Sequence, residues 1–107
     1  MMNMENKCKI ITICGSLKFK DEMIQVAIQM ELEGNVVLTP LFPISNENIL
    51  TEDEICLLSK IHKEKIKISD AIMVINVNGY IGESTRSEIE YAKILNKEVR
   101  YLESNDK

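Results

Sequence analysis

The chain has 107 residues, a formal net charge of −4, and is 45% apolar and 28% charged. That length suits one domain spanning 1–107, able to bury roughly 60–68% of its unfolded surface, and the composition excludes extended disorder. No apolar run approaches the roughly 18 residues a membrane-crossing helix needs, and the acidic balance argues against duplex nucleic acid as a partner. The start, MMNMENKCKI, has no apolar signal region, so a cytoplasmic protein is expected. Cys8, Cys14 and Cys56 are widely spaced, with no CxxC and a single histidine. This pattern gives no Cys/His metal set and predicts reduced, mostly buried thiols.

In chain order, KIITIC (9–14) is a β-branched run stopped by Gly15-Ser16, and reads as a buried strand followed by a turn. From Lys18 to Glu33, Phe19, Met23, Val26, Ala27 and Met30 recur at helical spacing. Gly34 suits a left-handed cap on that helix. Val36–Thr39 is a short second strand, and the stretch from Leu41 to Leu50 is a loop. Thr51-Glu52-Asp53-Glu54 is a capping box. It opens a helix that carries Leu58, Ile61, Lys65 and Ile68 as one stripe and ends near Ser69. AIMVINV (71–77) reads as a strand covered on both faces, broken by Asn78-Gly79. A loop through Gly82 precedes a helix from about Thr85 to Leu95, then a last strand from Glu98 to Leu102. From Glu103 the polar tail is expected to fray.

Strands alternating with helices predict an α/β fold: a Rossmann-like, three-layer α/β/α sandwich around a small parallel sheet of about four strands. Ligands of such sheets bind beyond the carboxyl ends of the strands, where the strand order switches. The loops after Cys14 and after Val77 should meet there.

The first loop offers Gly15, Ser16 and Lys18. A tight glycine turn beside a helix start favours an anion, although Ser16 as a plain helix cap is equally compatible. Neither a P-loop nor GxGxxG is present. In the second loop, Tyr80 can flank a flat ring. Gly82 keeps the backbone open, Ser84 and Thr85 offer hydroxyls, and Arg86 can grip a phosphate or carboxylate through two hydrogen bonds. Together these suit a nucleoside or nucleotide.

Glu88 has two readings. Thr85-Arg86-Ser87-Glu88 matches a capping box, with Glu88 bonding back to the Thr85 N–H. Alternatively, Glu88 is a first-turn carboxylate held ionised by the helix dipole, able to attack an anomeric carbon. His62 can exchange protons near neutral pH or belong to a solvated, lysine-rich face.

ICGSLKFKDE, HKEKIKISDAIMVINV and GYIGESTRSEIEYAKILNKEVRYL together resemble the nucleoside 2-deoxyribosyltransferase superfamily, which includes deoxynucleoside 5′-monophosphate N-glycosidases. The resemblance implies a Rossmann-like homodimer with no cofactor that breaks the bond between base and deoxyribose. It puts the glutamate nucleophile at Glu88. It also puts sugar or phosphate contacts at Gly15-Ser16 and along Gly82–Arg86. An aspartate in the family's second helix helps protonate the leaving base. Here His62 stands at that position and Glu64 lies two residues on, so either is a candidate. The alternative is a nucleotide-binding module without turnover.

Overall fold

A β-branched run ending in glycine forms the first strand, β1 (Ile10–Gly15), in the computed structural model, which describes residues 8–42 and 50–104. A 3-10 turn at Leu17–Phe19 follows, then α1 (Lys20–Leu32). The helix starts two residues later than the periodicity predicts, because Ser16 caps the 3-10 turn instead, its Oγ accepting from the Lys18 N–H at 3.3 Å. Gly34, at φ +101°, turns the chain into β2 (Val36–Leu38). Of the predicted 41–50 loop, only residues 41, 42 and 50 lie within the described part.

The Thr51 capping box opens α2 (Glu52–Lys67): the Thr51 N–H donates to Glu54 Oε1 at 2.9 Å, and the Glu54 N–H donates to Thr51 Oγ1 at 3.1 Å. β3 (Ala71–Ile75), α3 (Glu83–Ile94) and β4 (Glu98–Tyr101) complete the order. β3 ends two residues before the predicted Val77. Asn76 is fully buried and leaves the ladder to bind the segment after β4. Its Nδ2 donates to the Glu103 carbonyl at 3.0 Å, and its Oδ1 accepts from the Glu103 N–H at 2.8 Å. Glu103 Oε1 also accepts from the Asn78 N–H at 3.1 Å. Glu103 is therefore held, contrary to the expected fraying; 105–107 lie outside the described residues.

All four strands are parallel, in the order β2-β1-β3-β4. Alternation along the central strands sorts side chains to two faces. Ile11, Ile13, Ala71 and Ile75 meet Met23 and Met30 of α1. Cys14, Ile72 and Val74 meet Ile66 of α2 and Ile89 and Ala92 of α3. The result is a three-layer α/β/α sandwich. Among the described residues no helix is long and apolar enough to cross a membrane.

The inward line of α2 differs from the predicted stripe. Ile61 and Ile68 are exposed, at 42% and 62%, while His62, Ile66 and the following Ser69 are buried. The line is shifted by one residue because the β1 face it covers is partly polar. Thr12 Oγ1 lies 2.6 Å from Ser69 Oγ and donates to the Lys65 carbonyl at 3.1 Å. Asp70, exposed, ties the strand start through Oδ2, which accepts from the Ile10 N–H at 2.8 Å.

Candidate active site

The strand order switches between β1 and β3, and β1 ends at Gly15 opposite Ile75. A Cβ on Gly15 would lie 3.1 Å from both Ile75 Cβ and Met23 Cε, so only glycine fits there without displacing neighbours. Beyond these strand ends lies a cleft of about 910 Å³. Its polar wall includes Ser16, Tyr80, Gly82, Ser84 and Thr85. His62 and Glu88 also reach it, and its apolar wall includes Leu41, Phe42, Ile55 and Leu58.

α3 begins two residues earlier than predicted, at Glu83. Gly82 is its N-cap, and the Arg86 N–H already donates to the Gly82 carbonyl at 2.9 Å. Thr85 is thus interior to the helix and 3% exposed, and it does not form the predicted capping box with Glu88. Glu88 falls in the second turn rather than the first. Its side chain, 16% exposed, comes down beside Cys14 and His62. Gly82 supplies no side-chain cap for the first N–H groups of α3, and Gly82, Glu83, Ser84 and Thr85 all line the cleft.

Three side chains from three elements meet beneath the cleft: His62 and Glu88 line it, and Cys14 is fully buried behind them. Cys14 Sγ lies 3.6 Å from His62 Nε2, and His62 Nε2 lies 3.9 Å from Glu88 Oε1. Cys14 Sγ, a His62 ring nitrogen and a Glu88 oxygen all fall within 4.8 Å of one another. Burial disfavours charge on each. It raises the Glu88 carboxyl to about 7, opposed by the Cys14 thiol, which hydrogen-bonds it, and by Lys63. Burial, reinforced by Lys65, lowers His62 to about 4, with the Ile13 backbone opposing. Burial and the Glu88 carboxylate push the Cys14 thiol well above its ordinary value. At neutral pH His62 is therefore an uncharged ring, and its approach to Glu88 is not an ion pair. His62 Nδ1 is buried and finds no hydrogen-bond partner among the described residues. The side chain is buried, contrary to the expected solvated face.

The other predicted residues divide. Gly15, Ser16, Tyr80, Gly82, Ser84 and Thr85 line the cleft with Glu88 and His62, whereas Lys18, Glu64 and Arg86 are exposed and outside its lining. Lys18 instead lays its Nζ 3.5 Å from the centre of the Tyr80 ring, and Phe19 meets that ring edge-on at 5.8 Å. Glu64 points away on α2. Cys14 and Lys65 were not singled out for the site. Lys65 lines the cleft and donates from Nζ to the Thr39 carbonyl at 2.7 Å, tying α2 to the chain after β2. The one sequence signal for Cys14 is parity: it shares a strand face with Thr12. It is also the only buried thiol of the three, since Cys8 and Cys56 are exposed, contrary to the expectation of mostly buried thiols.

No protein-family model and no curated protein matches the chain. Solved structures do. A 2-deoxyribosyltransferase from Leishmania mexicana matches at TM-score 0.65 and 23% identity, over 87% of this chain. A CMP N-glycosidase from Clostridium botulinum, BcmB, matches at TM-score 0.59 and 17% identity, also over 87%. The chain has their fold. Both neighbours are of the nucleoside 2-deoxyribosyltransferase-like superfamily. The chain spans 63% of the length of the first and 70% of the second.

Proposed function

We propose that this protein breaks the N-glycosidic bond of a nucleoside or nucleoside 5′-monophosphate, by hydrolysis or by transfer of the sugar, with Glu88 as nucleophile. The observation that carries the reading is a half-buried carboxylate on the floor of the switch-point cleft, in a fold shared with a deoxyribosyltransferase and an N-glycosidase. With its carboxyl raised to about 7, Glu88 holds comparable amounts of acid and carboxylate at neutral pH. The carboxylate oxygen attacks C1′ while the C1′–N bond breaks and its electron pair leaves on the base nitrogen, which takes up a proton from water in the open cleft. Water or a second base then attacks C1′ and frees Glu88.

His62, neutral in this setting, serves to hold the carboxylate rather than to protonate the base. Tyr80 offers a face for the base, and Ser16, Ser84 and the α3 start offer donors to sugar or phosphate. The same weak basicity of His62 favours a second reading, a nucleotide-binding module without turnover, which uses the same wall and needs no proton donor.

The test is incubation with the four deoxynucleoside 5′-monophosphates and their nucleosides, with chromatography for free base. Release of base from any of them supports the enzyme. Thermal stabilisation by a nucleotide with no base released from the whole panel transfers the conclusion to the binding module.

A further inference from the structure

Behind the cleft wall a buried thiol, Cys14, joins the imidazole and the carboxylate that line the cleft, and the glycosidic chemistry does not require a sulfur there. Sulfur, nitrogen and oxygen donors from three protein side chains, with one side open, are the ligand pattern of zinc sites that keep a free position. The spacing comes close. In a tetrahedral site with bonds of about 2.3 Å to sulfur and about 2.0–2.1 Å to nitrogen or oxygen, donor atoms stand about 3.3–3.6 Å apart. Cys14 Sγ and His62 Nε2 already stand at 3.6 Å; Glu88 Oε1 stands 3.9 Å from His62 Nε2, its carboxylate lies within 4.8 Å of Cys14 Sγ, and it has to close by about half an ångström or more toward both to complete such a site.

The three donors sit on different elements, β1, α2 and α3, and two of those elements are braced around them. Ser69 and Thr12 pin the end of α2 to β1, and Lys65 ties α2 to the chain after β2. The site is therefore part of the folded framework rather than a chance meeting of surface side chains. The cleft, lined by His62 and Glu88, gives the ion an entry path and a place for a water ligand.

We propose that Cys14, His62 and Glu88 bind a divalent transition-metal ion of the Zn²⁺ class, and that the bound ion withholds the Glu88 carboxylate from the substrate. On binding, the Cys14 S–H bond breaks, its proton passes to the buffer, and the sulfur electron pair forms the metal bond. A Glu88 carboxyl that still carries a proton gives it up in the same way. With Cys14 and Glu88 both anionic, the two ligand charges neutralise the ion. The inhibitory half of this proposal rests on the glycosidic reading of Glu88. The binding half does not.

Cobalt(II) titration followed by optical spectroscopy tests the binding half without reference to activity. The exposed cysteines are first removed as Cys8→Ser and Cys56→Ser, so that only Cys14 can supply sulfur. One equivalent of cobalt should bind, with a sulfur-to-metal charge-transfer band that zinc abolishes by competition. Adding Cys14→Ser should remove the band. Glu88→Gln, which keeps volume and leaves α3 undisturbed, should weaken binding at least tenfold, on the scale of lost metal-site partners. Circular dichroism confirms that each variant is folded. No band in the double-serine protein, or a band that survives Cys14→Ser, overturns the proposal. If base release is found, zinc should suppress it and a chelator restore it. Cobalt binding with activity indifferent to zinc removes the inhibitory half, whatever the substrate.

Discussion

The two faces of the sheet differ in kind. On the α1 face, Ile11, Ile13, Ala71 and Ile75 form an apolar cluster with Met23 and Met30. On the opposite face, β1 presents Thr12 and Cys14, and α2 answers with Ser69 and His62. Both faces are close-packed, yet one is a core in the ordinary sense and the other opens into the cleft toward the strand ends. The difference teaches where the fold keeps its stability and where it gives some up. Two titratable groups held against their preferred charge state cost stability, and the apolar face supplies the surplus that tolerates it.

The contrast is broken most severely from the apolar side. Ile13→Ala, fully buried between the sheet and α1, should cost about 2–5 kcal/mol in chemical denaturation, as large-to-small core changes do. A loss below about 1 kcal/mol would mean that this face is not the stabilising one.

The polar side should show itself through pH, in protein kept with a chelator. Glu88 binds its proton more tightly in the folded chain, about 7 against 4.5, so its contribution to stability is present below 4.5 and is lost as pH rises to 7. His62 binds its proton less tightly when folded, about 4 against 6.5, so its contribution grows as pH rises from 4 to 6.5. In the wild type the two slopes oppose each other and stability is nearly flat between about pH 4.5 and 6.5. Glu88→Gln should leave a rise with pH, and His62→Leu a fall, each of roughly 3 kcal/mol across its window. The groups that face this pair are Cys14 from β1 and Lys63 and Lys65 from α2. Equal slopes in both variants would show that these residues are not the source.

Gly15→Ala sharpens the comparison at the point where the faces meet. The added methyl presses on Ile75 and Met23, and an overpacking cost of about 1–3 kcal/mol is expected, together with weaker nucleotide-induced stabilisation because Ser16 moves with the turn. Least is expected at the surface. Arg100 Nε donates to Glu98 Oε2 at 2.8 Å, but the Glu98 side chain is half exposed and that of Arg100 about a third (50% and 32%), and Arg100→Ala should change stability by no more than a few tenths of a kcal/mol.

Much of the fold was legible in the sequence because it follows from period and punctuation. The apolar runs gave four strands, the spacing of Met23, Val26, Ala27 and Met30 gave the inward side of α1, and Thr51 to Glu54 gave the start of α2. What escaped was decided by contacts distant in sequence. Asn76 reads as strand but turns to meet Glu103, 27 residues away. The α2 stripe was misphased because its buried line uses His62 and Ser69, which a hydrophobic pattern does not count. The site was legible in part: the loops after β1 and β3 do converge, and Glu88 and His62 do meet. Thr85 to Glu88 misled, since a local capping motif matched while Gly82 had already begun the helix. Arg86 and Lys18 have the chemistry for a phosphate but point outside the cleft lining, and no local pattern reports side-chain direction.

The central claim is that the chemistry of the polar wall passes through Glu88. It is tested most directly by measuring base release and nucleotide binding side by side in the wild type and in Glu88→Gln, in the presence of a chelator. Turnover should fall at least about 10³-fold in Glu88→Gln, as loss of a nucleophile does, while the dissociation constant changes little. Base release that persists in Glu88→Gln at the wild-type rate would contradict it.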